Sequence, residues 1–346
     1  MISQTRKATG RAMWKVEPMS HQTAKACPEI SRFQALGARP LPLMSHKSVL
    51  VTGGAGFIGS HLVELLVDRG FRVNVLDNLS YGKREWVHGQ ANFIHGDILD
   101  LEDCRRAVRS VDGVFHMAAM SRSAASLENI EICTTNNVTG TQNVLSAARE
   151  AGVRKVVYSG SSTYYGSQDV PHVEGMKPDF LNFYGLTKYA GEEYCLMFDK
   201  LYGLPSVVLR YFNVYGPRQP EAGVYALVLG IFLRRQIERK PLEIHGSGLQ
   251  RRDFVHVRDV ARANLAAYEA DVRGEVFNIG SGTNISVKEL ADMISPDQLQ
   301  APQRKGDAKE TLADITKARR MLNWKPEIAF EDGLRELAST FAECAA

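Results

Sequence analysis

A chain of 346 residues, 44% hydrophobic and 23% charged, is long enough to bury a full core and to carry a large domain with a smaller one. Its net charge of +3 is dispersed, with no long Lys/Arg run to suit nucleic acid or a membrane surface, and no apolar run nears the ~20 residues of a membrane span. The five cysteines (Cys27, Cys104, Cys133, Cys195, Cys344) lack CxxC spacing and read as free thiols of a reducing compartment, and His116, His172, His245 and His256 read as structural, so no metal is expected.

The first 43 residues carry Arg6, Lys7, Arg11, Lys15, Lys25, Arg32 and Arg39 against only Glu17 and Glu29, with no helical or strand period. Residues 1–45 are therefore read as an extension: an organelle-targeting segment, a disordered tail, or the product of an upstream start codon, since "MSHKSVLVTGG" from Met44 itself reads as a beginning. From Ser48 short apolar runs alternate with helical patterns. "SVLVTG", "FRVNVLD", "NFIHGD", "GVFHMAA", "KVVYSG" and "SVVLR" are six buried-strand candidates. Helices are expected around 57–69, 128–151 and 183–202, with "AGV" and "YGL" supplying glycine stops. This rhythm predicts an α/β fold: a doubly wound parallel (Rossmann) sheet over 46–210 plus about 253–278, and a smaller α/β region over 211–252 plus 279–346.

In "VTGGAGFIGSHL", Gly53, Gly56 and Gly59 follow the first strand and open a helix. Glycines permit a tight turn and the close approach of a pyrophosphate to backbone N–H groups at a helix N-terminus, here those of Phe57, Ile58 and Gly59. Asp77 ends the second strand where a carboxylate would bond a ribose 2′-hydroxyl, which favours NAD and repels the 2′-phosphate of NADP. Asp97 in "HGDI" is placed near the adenine rim, and Asn78 and Ile98 are counted among the cofactor contacts. Further along, Tyr184 and Lys188 stand four apart at the start of a helix that follows "VVYSGSS". That spacing puts a phenol and an ammonium on one face, and a nearby cation favours the phenolate that can accept a proton from an alcohol.

The motifs "TGGAGFIG", "HMAA", "NNVTGT", "YSGSS", "YGLTK", "RYFNVYGPR", "RRDFVHVRDVARA" and "FNIGSG" together resemble the extended short-chain dehydrogenase/reductase family that acts on nucleotide sugars, from about residue 46 to 335. The resemblance implies tightly held NAD, with Ala118, Ala119 and Asn137 joining the cofactor contacts. It also implies a Ser161/Tyr184/Lys188 catalytic group, a nucleoside diphosphate sugar substrate and a cytoplasmic homodimer. In the dehydratase and decarboxylase branches the stretch matching Ser161–Thr163 carries a Glu, often preceded by Asp, and in the 3,5-epimerase and fucose-synthase branches it carries a Cys. Here Ser162 and Thr163 stand instead. Without a group to move a proton at C5 or C6, a 4-ketone can only take its hydride back, which points to the 4-epimerase branch.

By that resemblance Ser161 bonds the sugar O4, Asn213 and Arg252 meet the diphosphate, and Arg304 and Asp307 grip the nucleoside. Thr311 lines the space around the sugar C2 substituent; being small, it implies room for N-acetylhexosamines as well as hexoses. Two departures bear on the sugar. Arg122 stands where relatives carry a small residue, and it either suits the carboxylate of a uronate or points to the surface; Tyr164 also replaces a small residue. The alternatives left open are a UDP-uronate 4-epimerase, another 4-keto-forming enzyme such as a dehydratase, and a non-enzymatic NAD-binding module.

Overall fold

The computed structural model describes residues 2–6, 12–16, 47–121, 123–220, 227–302 and 308–345. Seven parallel strands form its central sheet: β1 (Ser48–Thr52), β2 (Arg72–Asp77), β3 (Asn92–His95), β4 (Gly113–His116), β5 (Lys155–Ser161), β6 (Ser206–Tyr211) and β7 (Glu275–Ile279). Their spatial order is 3-2-1-4-5-6-7, with the reversal between β1 and β4 that creates a ligand crevice at the carboxyl ends in a doubly wound sheet.

The apolar runs become strands because both faces are covered. Val49 and Val51 point into one cluster with Leu62, Leu66 and Val260, whereas Leu50 between them joins Val114, Val156 and Leu145 on the other side; all are fully buried. Helices α1 (Phe57–Asp68) and α4 (Val257–Glu269) cover the first face. On the second lie α2 (Gly140–Glu150) and α3 (Phe183–Tyr202). Gly152 and Gly203 close α2 and α3 with φ of 68° and 69°, as the glycine stops predict.

All six expected strands form. The seventh, β7, escapes an apolar-run reading because buried Asn278 interrupts it; its amide donates to the His172 and Asp314 carbonyls and accepts from the Tyr165 hydroxyl. The expected 128–151 helix is broken into Ile130–Thr134, a π turn over Thr135–Thr139, and α2. In the N-terminal segment read as without period, Ile2–Arg6 and Ala12–Val16 pair antiparallel, a correction for strands too short for alternation to show.

Beyond β6 a separate apolar cluster gathers Leu229, Phe232, Leu242, Phe254, Leu290, Leu337 and Phe341. Three two-stranded ladders tie this region together: Asn213–Tyr215 with Phe254–His256, Arg251–Arg252 with Ile285–Ser286, and Leu242–His245 with Gln298–Ala301.

Candidate active site

The glycine turn is set by sterics. Gly53 has φ of +70°, and a Cβ there would lie 2.8 Å from the Ala118 nitrogen; one on Gly59 would lie 2.1 Å from the Gly53 carbonyl oxygen. Only glycine lets β1 turn into α1 against the loop that follows β4. The N-cap of α1 is Gly56, no side chain caps it, and its first turn has no acid, so the first-turn N–H groups of Phe57, Ile58 and Gly59 form a cradle suited to an anion.

Asp77 accepts hydrogen bonds from the Ala55 nitrogen at 3.0 Å and the Leu79 nitrogen at 2.8 Å. It thus shapes the glycine turn while standing at the end of β2, and burial raises its pKa, with those two bonds opposing. Asn78 donates to Asp97 at 2.8 Å, which brings these two expected cofactor contacts together. Ile98 packs behind them, where a Cβ on Gly140 would meet its Cδ1 at 2.5 Å.

Ala118 and Ala119 sit on the half-buried loop after β4, pinned at both ends. Thr52 Oγ1 accepts from the Met117 and Ala118 nitrogens, so its own proton goes to His116 Nδ1 at 2.8 Å. Thr141 donates to the Asn137 carbonyl and therefore accepts from His116 Nε2 at 3.0 Å. His116 is thus a neutral, Nε2-protonated structural histidine, its pKa driven down to about 3 by burial and then by Lys188. Asn137, expected at the cofactor, is instead buried. Its amide accepts from the Met120 nitrogen at 2.8 Å and donates to the Met120 carbonyl and Thr187 Oγ1, both at 3.0 Å, so it holds the loop and the helix carrying Tyr184 and Lys188 together. The π turn that carries Asn137 makes this reach possible.

Helix α3 begins beside the end of β5. Asn182 caps it by accepting from the Gly185 nitrogen, and Ser126 accepts from the Tyr184 nitrogen at 3.1 Å. A Cβ on Gly185 would lie 3.0 Å from the Thr163 carbonyl, so glycine lets the helix start press onto the turn that carries Ser161. In that turn Ser161 Oγ lies 2.8 Å from Thr163 Oγ1. Tyr184 packs against Met120, Ala125 and Cys133. Lys188 is 4% exposed, with its ammonium 4.3 Å above the Tyr158 ring. Burial lowers its pKa to about 8, against the opposing influence of Cys195, Cys133 and Glu192, so it is largely cationic at neutral pH.

Among the residues expected to meet the substrate, Asn213 donates to the Asp253 carbonyl and to Thr311 Oγ1, both at 3.0 Å, and Thr311 Oγ1 also accepts from the Asp253 nitrogen. Both amide protons of Asn213 are thereby engaged inside the protein. Arg252 donates to the Arg251 carbonyl at 2.9 Å. Arg122, Arg304 and Asp307 lie outside the described residues. Tyr164, noted as a departure bearing on the sugar, is 7% exposed, donates to the Met176 carbonyl and lies 3.6 Å under the Arg210 guanidinium.

Sequence reasoning missed Asp253, whose buried carboxylate accepts from Ser281, Gly282 and Ala313 nitrogens and so anchors the strand that follows Arg252. Its place beside Arg252 in "RRDF" was the available signal. Among the described residues, no cluster of His, Cys, Asp and Glu could hold a metal, and no helix is long and apolar enough to cross a membrane.

The family model described as "NAD dependent epimerase/dehydratase family" matches residues 49–280. A UDP-glucose 4-epimerase of Mycolicibacterium smegmatis is 37% identical over 306 residues, covering 84% of this chain and 97% of that one. A UDP-N-acetyl-alpha-D-glucosaminuronate decarboxylase of Bacillus cytotoxicus is 35% identical, covering 86% and 98%. Among solved structures, the UDP-glucose 4-epimerase of Thermotoga maritima with UDP-glucose superposes with a TM-score of 0.83 at 37% identity, over 86% of this chain and all of that one.

Proposed function

The chain belongs to the NAD dependent epimerase/dehydratase family, and from that premise we propose that it inverts C4 of a UDP-hexose or UDP-N-acetylhexosamine through a transient 4-ketone. NAD fits the uncapped N-terminus of α1, whose close backbone path Cβ atoms on Gly53 and Gly59 would disrupt, with Asp77 at the ribose. Held there, the nicotinamide would supply the acceptor, and then the donor, of the C4 hydride.

The chain's own groups handle the proton. Tyr184 as phenolate accepts the proton of the sugar O4, Ser161 relays it, and the Lys188 cation, one turn along α3, favours the phenolate. Lys188 is itself oriented by Tyr158, whose ring it overlies. Asn137 and Thr187 fix the first turn of α3, Thr187 donating to the Tyr184 carbonyl at 3.0 Å, so that the phenol is held against the loop after β4. Asn213, Arg252 and, at the nucleoside, Arg304 and Asp307 retain the UDP group while the sugar turns over and accepts hydride on its other face.

The observation that carries this reading is the turn at Ser161. Its neighbour is the Thr163 hydroxyl at 2.8 Å, where a carboxyl would be needed to drive elimination or later steps. Hydroxyls do not serve as general acids or bases there without activation. Incubation with UDP, GDP, dTDP and CDP sugars tests it: the UDP sugars yield C4 epimers with no stoichiometric consumption of added NAD. A panel with no product and no reduction of bound nicotinamide would leave a binding module instead.

The working unit is proposed to be a cytoplasmic homodimer, supported by buried free thiols at Cys104, Cys133 and Cys195 and by an exposed apolar face. Leu186, Met197 and Leu201 share one side of α3, with Ile130 and Ile132 exposed on the neighbouring helix. Light scattering on the wild type and on Leu201→Glu checks this; a wild-type monomer overturns it.

A further inference from the structure

Behind the site runs a buried polar chain that the proton chemistry does not use. Arg210, on β6, donates from Nε to Glu192 at 2.9 Å in a two-pronged ion pair, and from Nη1 to the Tyr165 hydroxyl at 2.9 Å. Tyr165 in turn donates to Asn278 Oδ1 at 2.6 Å. Asn278 donates to the His172 carbonyl at 2.9 Å. His172 bridges to the sugar-side segment, its nitrogen donating to the Leu312 carbonyl at 2.7 Å while its carbonyl accepts from the Asp314 nitrogen. The His172 ring also stacks on Tyr165, at 4.6 Å and 7°.

The ends of this chain are what matter. Glu192 lies on α3 one turn beyond Lys188, and Tyr165 closes the short turn that starts at Ser161. The segment reached through His172 directly follows Thr311. Arg210, Glu192, Tyr165, Asn278 and His172 are all 3% exposed or less, so none can touch substrate from where it lies. An ion pair so deeply buried costs desolvation, and replacement by apolar side chains is often neutral or stabilising, so stability alone is a weak reason for it. A rigid register between three separately anchored pieces of one site is a better one.

We propose that Tyr165 is a positioning residue: by joining Arg210 to Asn278 it holds the Ser161 turn and the Tyr184/Lys188 helix in register with the segment after Thr311. The inference rests on the proposed epimerase reading. Arg210 and Asn278 are register partners on adjacent strands, and Glu174 also bridges them, its carbonyl accepting from Arg210 Nη1 at 3.2 Å and its carboxylate from the Asn278 nitrogen at 2.9 Å; the Tyr165 hydroxyl adds the direct side-chain link that ties both to the Ser161 turn.

The test compares Tyr165→Phe, which keeps volume and ring stacking, with Tyr215→Phe, a control that also loses a buried phenol bond, to the Phe330 carbonyl at 3.3 Å, away from this chain. Melting temperature, kcat and KM for the UDP sugar are measured on each, well below the melting point. Because a misplacement near 1 Å costs about a hundredfold in rate, Tyr165→Phe is expected to lower kcat by about tenfold to a hundredfold. KM stays within about twofold, while Tyr215→Phe keeps kcat. A Tyr165→Phe kcat within about twofold of wild type, a loss carried by KM alone, or an equal kcat loss in Tyr215→Phe would each overturn the proposal. A second variant, Asn278→Leu, cuts the same link from the other side and must show the same kcat loss; unchanged kcat there also overturns it. An inactive wild type would instead defeat the epimerase reading.

Discussion

Gly53, Gly56 and Gly59 on one side of the site, and Asn213, Asp253 and Thr311 on the other, are held by different forces. The glycine turn is fixed by what cannot fit: a Cβ on Gly59 would lie 2.1 Å from a carbonyl oxygen, so the backbone path admits one residue type. The sugar side is fixed by side chains bonded to each other, with Asn213 donating to both Thr311 and the Asp253 carbonyl. A steric cradle leaves its mark in the residue types alone, and it leaves backbone N–H groups for a ligand. A mutual side-chain network hides its geometry until the chain is folded, and its donors must change partners to reach a ligand.

The largest way to break the comparison acts between the two halves. Tyr184→Phe removes the proton acceptor and little cofactor contact, so kcat should fall by about a hundredfold to ten-thousandfold while bound NAD, read by its extraction from purified protein, is retained. A near wild-type rate would remove Tyr184 from the chemistry.

Gly59→Ala attacks the cradle by sterics. The purified protein should lose bound NAD, with affinity reduced by at least about a hundredfold in calorimetric titration, in line with a rigid close contact that cannot relax. Retention of NAD would show that the turn has slack. On the sugar side the expected change is in selectivity. Thr311→Tyr fills the space and breaks two hydrogen bonds, so the ratio of kcat/KM for UDP-N-acetylglucosamine over UDP-glucose should fall by about tenfold or more, while Thr311→Ser leaves it in place. An unmoved ratio in Thr311→Tyr would show that another residue is the gate.

A smaller effect follows from Lys188. Its pKa of about 8 lies below the usual 10.5, so the cation is lost as pH rises through about 8, and kcat should decline several-fold above that point. Stability moves the other way: between about 8 and 10.5 the unfolded chain holds more protons at this lysine than the folded one, so this group makes folding more favourable as pH rises. A kcat loss that tracked unfolding would contradict the assignment.

Much of this was legible beforehand for physical reasons. The six apolar runs became strands because both faces of the sheet are covered, and the four-residue spacing of Tyr184 and Lys188 lies on α3 as its period requires. Other features were not. Asn137 reads like a ligand contact, but a π turn redirects its amide to Met120 and Thr187. Tyr164, in the turn that starts at Ser161, reads only as a departure from a small residue, yet it stacks under Arg210, distant in sequence, and is buried in the core. The buried pairing of Arg210 with Glu192, and its link through Tyr165 to Asn278, joins residues on separate elements and has no local signature.

The central claim is that the hydride taken from C4 returns to C4. It is tested most directly by turnover of a UDP sugar deuterated at C4 in ordinary water, followed by mass and NMR analysis of the product. The expected product is the C4 epimer, of unchanged mass, with the deuterium retained at C4; a product lighter by one water, or deuterium at C6 or lost to solvent, would contradict the account.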